Sequence, residues 1–169
     1  LTRERARIFS LMDRHEEAAS DLERLYQMEG VNQESIALDL AAAALELDDR
    51  ERASQVLAQV SDPRKVASVY EKDESWPDAV AVLEQGLART PGNRELLKAL
   101  AGIHEKSGDQ AAAILALERL ADTQGNTWRN LKELCRLYDA ADRSEDFIRV
   151  GSALLDLVGD FEERERALE

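Results

Sequence analysis

Arg94–Thr123 reads RELLKALAGIHEKSGDQAAAILALERLADT. It divides at Ser107-Gly108-Asp109 into two short amphipathic helices back to back. Leu97, Leu100, Ala101 and His104 recur at helical spacing in the first, and Ala113, Leu117 and Leu120 do so in the second. Isolated helices below about 12–15 residues are marginal in water, so neither is stable alone. The pair needs further pairs beside it to cover its apolar stripes.

Those pairs are present. A shift of 34 residues turns Leu97-x-x-Leu100-Ala101-x-x-His104 into Leu131-x-x-Leu134-Cys135-x-x-Tyr138. The reverse shift finds Val66-Ala67-x-x-Tyr70. The second helix is marked by a small residue and then a large apolar one four later. It recurs as Ala18/Leu22, Ala53/Leu57, Ala79/Leu83 and Ala113/Leu117, and the fifth copy, Phe147/Gly151, reverses large and small. Five residues before each signature stands an interhelix turn residue: Asp13, Asp48, Glu74, Gly108 and Asp142. Gly30, Pro91, Gly125 and Gly159 close the units.

This pattern resembles the tetratricopeptide repeat, whose period is about 34 residues with small and aromatic residues at these offsets. The likeness covers nearly the whole chain and is best over 60–126, where Tyr70, Ala79, Leu83 and Pro91 coincide with the family's offsets. Leu97 and Leu131 stand where the family has tryptophan. The resemblance implies an all-α fold, a right-handed superhelical solenoid of antiparallel helix pairs. The approximate repeats are 1–30, 34–60, 61–92, 94–126 and 128–159, with 161–169 opening a further helix. Such a solenoid is one continuous domain with a quasi-linear core. The chain opens at Leu1 without an initiator Met, and we expect it to be a piece of a longer array.

Individual helices follow from their patterns. Helix 1–12 should turn Ala6 and Phe9 inward, and His15–Gln27 should bury Ala18, Leu22 and Leu25. IALDLAAAALEL, residues 36–47, is apolar around most of its circumference and should be covered on several sides. From Ala53 to Ala79 is 26 residues, eight short of the period. Repeats 2 and 3 should therefore each be clipped by about a turn. Asp62-Pro63 starts the third repeat, with Asp62 as N-cap and Pro63 in the first turn. Ser75 and Asp78 have capping-box spacing.

The chain has 169 residues and carries a net charge of −13, with aromatics scarce. That charge opposes nonspecific binding to nucleic acid. The single cysteine excludes an internal disulfide framework and leaves the compartment open. No run approaches the roughly 18 apolar residues that a bilayer span requires.

The resemblance also implies where a partner sits, because in this family the first helices line the concave groove. The corresponding positions are Arg3, Arg7, Ser10 and Leu11, then Ser35, Leu38, Ala42, Leu45 and Glu46. They continue through Arg64, Ser68, Glu71 and Lys72, and through Glu95, Lys98, Gly102, Glu105 and Lys106. The fifth repeat contributes Arg129, Lys132, Arg136 and Asp139. Nine of these are basic and five acidic, so a groove of +4 lies within a chain of −13. A partner with carboxylates would meet charge-assisted hydrogen bonds there. The competing reading has long basic side chains lying over apolar surface and pairing with neighbouring glutamates.

Lys98, Lys106, Arg129, Lys132 and Arg136 form the expected contact set. Some family members clamp a chaperone's C-terminal carboxylate with basic residues spaced like Lys132 and Arg136. The family's remaining clamp positions hold Gly102, Arg64 and Ser68 here, so a basic subsite over 129–136 is expected and the full clamp is not. Acidic residues, among them Asp13, Asp21, Asp48, Asp49, Asp78 and Asp146, gather at interhelix turns and early second helices. There they complement helix N-termini, and some could steer a basic partner on the outer face.

Catalytic signatures are missing from the sequence: no Gly-rich phosphate loop, no H-E-x-x-H, no Cys-x-x-Cys and no Ser-centred elbow. No cofactor or metal is expected. His15 reads as solvated, and His104 as a packing residue where the family has tyrosine. Cys135 reads as a small hydrophobe, and Trp76 and Trp128 as packing residues at helix starts, with Trp128 also a candidate binding anchor. The expected function is a non-catalytic scaffold that recruits a partner protein or peptide into a larger complex. The alternative is a periplasmic scaffold of bacterial exopolysaccharide export, docking a modifying enzyme or guiding the polymer. Self-association through apolar end faces is a third reading.

Overall fold

A computed structural model describes residues 3–28, 32–124 and 127–166, and among these there are ten α-helices and no strand. They are α1 (Arg3–Leu11), α2 (His15–Tyr26), α3 (Gln33–Glu46), α4 (Arg50–Leu57), α5 (Pro63–Lys72), α6 (Trp76–Arg89), α7 (Arg94–Ser107), α8 (Gln110–Gln124), α9 (Trp128–Ala140) and α10 (Ser144–Arg166). The expected closing residues Gly30 and Gly125 lie outside the described residues. The chain divides into two compact units, Leu1–Val82 and Leu83–Glu169, with the boundary inside α6.

One device turns the chain within every helix pair. Among the described residues, those with left-handed backbone are Asp13, Asp48, Glu74, Gly108 and Asp142, with φ of 55°, 58°, 56°, 84° and 54°. Each stands five residues before the second-helix signature. Each N–H donates to the carbonyl three residues back, from Asp13 to Ser10 at 3.1 Å and from Asp48 to Leu45 at 2.8 Å, for example. The following N–H reaches five residues back: Arg14 to Phe9, Asp49 to Ala44, Ser75 to Tyr70, Asp109 to His104 and Arg143 to Tyr138, all at 2.8–2.9 Å. This is the Schellman arrangement, which satisfies carbonyls that a helix end leaves open. Only the fourth copy uses glycine, the residue that enters this conformation without a Cβ penalty.

The residue after each turn opens the next helix. Asp49 and Asp109 cap α4 and α8, accepting from the N–H groups of Arg52 and Ala112 at 3.1 and 3.0 Å. First helices are capped likewise by Asn32, Asp62, Asn93 and Thr127. A side-chain cap of this kind contributes about 1 kcal/mol. Asp62 and Pro63 take the places the sequence indicates.

In the first unit, α1, α2 and α3 enclose a core of Ala6, Ala19, Leu22, Leu25, Ile36, Leu40 and Ala43, with Tyr26 and Val56 packed against it. As expected, α3 is covered on several sides and buries Ile36, Ala37, Leu40, Ala41, Ala43, Ala44 and Leu45. Leu45 is therefore core, contrary to its expected groove position. Phe9 is only half-buried, because it lies under the guanidinium of Arg14 rather than in the core. In the second unit, Leu97, Leu100, Ile103, Ile114, Leu120, Leu134, Leu137 and Tyr138 are buried on the facing sides of α7, α8 and α9. A fully buried leucine is worth about 1.5–3 kcal/mol over an exposed one.

The small residue of the second-helix signature is fully buried in four copies: Ala18, Ala53, Ala79 and Ala113 are each 0% exposed. Phe147, their equivalent in α10, is 41% exposed. The missing eight residues come out of α4, with 8 residues, and α5, with 10, against 14 and 15 in α7 and α8. Gly159 does not end the last helix. α10 runs unbroken through it to Arg166, so no new helix opens at 161. A mid-helix glycine costs about 1 kcal/mol relative to alanine, which weakens a helix without breaking it.

Candidate partner-binding face

The five expected contact residues all fall in the second unit, on α7 and α9. A salt bridge joins the two helices. Arg136 Nη2 on α9 donates to Glu105 Oε1 on α7 at 2.7 Å, and Arg136 also donates to Glu133 Oε1, from Nη2 at 2.6 Å and from Nε at 2.9 Å. The hydrogen bonds to Glu133 and the charge of Glu105 hold the guanidinium pKa above its ordinary value. Arg136 is thus already engaged by two carboxylates of its own chain. The spacing that places Arg136 in the groove places Glu133 beside it.

Arg129 and Lys132 are arranged differently. Both are exposed, and neither forms a salt bridge among the described residues. The Arg129 Cζ and the Lys132 Nζ each stand 5.9 Å from the centre of the Trp128 ring. Trp128 is 53% exposed, so it is not the packing residue that its place at a helix start suggested. A cation over an exposed indole gains about 0.5–1 kcal/mol. The result is an aromatic surface with two cations at its border. Lys98 is half-buried on α7 and also forms no salt bridge among the described residues, and Lys106 is exposed about two turns past it. A Cβ at Gly102 would meet nothing within 4 Å, so the strip between Lys98 and Lys106 is open.

First-helix positions of the other unit line two clefts. One, of about 510 Å³, is bounded by Arg3, Glu4, Arg7, Ser10, Leu22 and Asp39. The other, of about 450 Å³, is bounded by Leu38, Asp39, Ala42, Asp62, Arg64, Lys65, Ser68, Val69 and Lys72. Asp39 was missing from the expected set, although Ser35, Asp39, Ala42 and Glu46 share one helical stripe. It pairs with Arg3, while Asp62 pairs with Arg64 at 3.0 Å and Glu34 with Lys65 at 3.0 Å. Of this unit's four basic positions expected in the groove, Arg3 and Arg64 are thus paired within the chain, whereas Arg7 and Lys72 form no salt bridge among the described residues.

The turn side is also less free than its acidic count suggests. Arg50 lies 3.7 Å from Asp48, 3.7 Å from Asp73 and 3.3 Å from Asp78, and donates to Ser75 Oγ at 3.0 Å. Asp146 takes Arg143 at 2.6 Å and Arg149 at 2.7 Å. Asp21 is not on the outer face: it is 4% exposed and receives Nε and Nη2 of Arg5 at 2.5 and 2.6 Å. Those hydrogen bonds hold its carboxyl below the usual carboxylate range.

His15 is less solvated than expected, with a buried Nδ1 and its Nε2 3.9 Å from Asp13. Cys135 is half-buried, and burial pushes its thiol pKa up, away from thiolate chemistry at neutral pH. The described residues hold no group of three or more His, Cys, Asp or Glu arranged for a metal, and no helix long and apolar enough to cross a membrane.

A tetratricopeptide repeat model matches residues 64–95. No curated protein matches the sequence. Among solved structures, MamA residues 41 to the end from Desulfovibrio magneticus RS-1 is similar at 17% identity, covering 94% of this chain and 93% of that one, with a TM-score of 0.56. A further MamA crystal structure covers 97% of both chains at 13% identity and a TM-score of 0.56. A tetratricopeptide repeat protein from Parabacteroides merdae is similar at 13% identity over 92% of this chain and 65% of its own, with a TM-score of 0.53. The all-helical architecture is thus that of tetratricopeptide repeat structures.

Proposed function

We propose that this chain, a tetratricopeptide repeat protein, is a non-catalytic scaffold whose α7–α9 face binds a carboxylate-bearing segment of another protein. The observation that carries the reading is the exposed Trp128 ring bordered by Arg129 and Lys132, cations that no acidic side chain neutralises among the described residues. Interfaces concentrate their energy in a few aromatic and arginine anchors of this kind. Lys98 and Lys106 extend the basic strip along α7. Arg136 contributes to it only when a partner's carboxylate displaces Glu105 or Glu133. The comparisons support a general protein-binding scaffold and add nothing for the polysaccharide-export alternative.

The test is affinity capture from the native source with the wild-type chain and the Arg129→Glu/Lys132→Glu variant. Titration of each purified candidate by calorimetry follows. A partner that binds the wild type and is lost in a variant of unchanged circular dichroism supports the face. Equal affinity for both would remove it. Arg136→Glu is a poorer probe, because it places a third carboxylate beside Glu105 and Glu133.

A further inference from the structure

Among the described residues α4 is the shortest helix, with 8 residues, and only Ala53 and Leu57 of its side chains are fully buried. Val56 is partly covered against the core of the first unit. Its neighbours α3 and α5 bury seven and four residues. A helix of this length has no stability of its own in water, so α4 keeps its form through contacts with other elements. Its apolar contacts are the fewest of the helices between α2 and α9.

Two arginines supply much of the remainder. Arg52 pairs with Glu23 on α2. Arg50 donates to Ser75 Oγ at 3.0 Å and stands 3.3 Å from Asp78 on α6 and 3.7 Å from Asp73 at the end of α5. It also lies 3.7 Å from Asp48 in the turn before α4. Each of these charged partners is acidic, whereas α4 carries its two arginines against Glu51. The helix is therefore a cationic strap, tied to α2 on one side and to the α5–α6 turn on the other. Arg50 is 59% exposed and Arg52 30%, so both ties are within reach of salt. One exposed ion pair contributes little, but a cation shared by three carboxylates and a hydroxyl contributes as a network.

We infer that α4 is a salt-released strap, which opens by itself, ahead of the rest of the first unit, when ionic strength screens Arg50 and Arg52. Elements with few buried apolar contacts are the ones that open locally. Opening uncovers the side of α3 on which α4 packs. Because α3 is apolar around most of its circumference, that side is apolar surface. The rest of the chain responds to salt with the opposite sign. A net charge of −13 repels itself, and screening that repulsion favours the compact state. Salt thus loosens α4 while it tightens its surroundings. The strap is independent of the α7–α9 partner face.

Amide hydrogen exchange of the full chain tests it, at about 0.01 M and about 1 M sodium chloride, between which the Debye length falls from about 30 Å to about 3 Å. At low salt the amides of α4 should exchange faster than those of α3 and α5. At high salt exchange in α4 should accelerate severalfold, while α8 is unchanged or slower. The double variant Arg50→Gln/Arg52→Gln should exchange in α4 at low salt as the wild type does at high salt, and should lose the salt response. The two-salt comparison of the wild type decides the matter even where the double variant fails to fold. Equal exchange in α3, α4 and α5 at both salts means that α4 opens only with its unit, and overturns the proposal. So does a salt acceleration shared by α8, or a folded double variant that exchanges like the wild type at low salt.

Discussion

Arg143 engages Tyr138 twice: its N–H donates to the Tyr138 carbonyl at 2.8 Å, and its guanidinium carbon stands 4.8 Å from the centre of the Tyr138 ring. Arg14 and Phe9 repeat the relationship, at 2.9 Å and 4.6 Å. In helix-ending turns of this type an apolar contact usually accompanies the backbone bond. Here a cation on an aromatic face replaces it. Both arginines also reach a carboxylate three residues on, Glu17 at 2.7 Å and Asp146 at 2.6 Å. In the copies with Asp49 and Asp109 the same position caps the next helix by its side chain instead.

The left-handed turn residues yield a stability prediction. Glu74 carries a Cβ in a conformation that costs an ordinary L-residue about 1–2 kcal/mol, partly offset by the greater unfolded-state freedom of glycine. Glu74→Gly should raise stability by about 0.5–1 kcal/mol, and Gly108→Ala should lower it by about 1 kcal/mol. Urea denaturation checks both, read as a moved midpoint at constant slope.

Tyr138 makes stability depend on alkaline pH. Its ring is fully buried and its hydroxyl donates to Glu118 Oε1. Burial, and then the hydrogen bond to Glu118, push its pKa up to about 12. The unfolded phenol ionises near pH 10, so between about pH 10 and 12 the unfolded state holds fewer protons and stability falls as pH rises. Thermal melts should show this loss in the wild type and a smaller one in Tyr138→Phe. At neutral pH that variant should be less stable by about 1.5 kcal/mol through the lost charge-assisted bond.

Asp21 makes the stability of the first unit depend on acid pH. Its carboxyl pKa is lowered chiefly by the hydrogen bonds from Arg5. The contribution is present above the unfolded carboxylate pKa and is lost as pH falls through the folded one. Asp21→Asn should be less stable at pH 7 and should show a shallower decline below pH 4. An unchanged acid profile, followed by circular dichroism, would assign the acid loss to other carboxylates.

Glu105 competes with any acidic partner for Arg136. Glu105→Gln should raise the affinity for a carboxylate-bearing segment severalfold and steepen its salt dependence. Calorimetry at two ionic strengths checks this, and unchanged affinity would place Arg136 outside the contact.

The sequence by itself determined the helix pairs and their turns. The small-residue stripe of Ala18, Ala53, Ala79 and Ala113 and the turn positions from Asp13 to Asp142 are local demands. Close helix packing needs a small side chain, and a reversal needs one left-handed residue, so both leave a periodic mark. Leucine periodicity likewise marks the cores of α3 and α7.

Only the tertiary structure decided which charges are neutralised. Arg136 and Lys132 look equivalent in sequence, yet Glu105, 31 residues away, engages one and Trp128 borders the other. Asp21 reads as a surface acid until Arg5 closes over it from the preceding helix. Ion pairing across helices depends on which stripes come to face each other, and no local pattern encodes that. Continuation of α10 through Gly159 has the same character, because a glycine's modest helix cost is overruled by its neighbours.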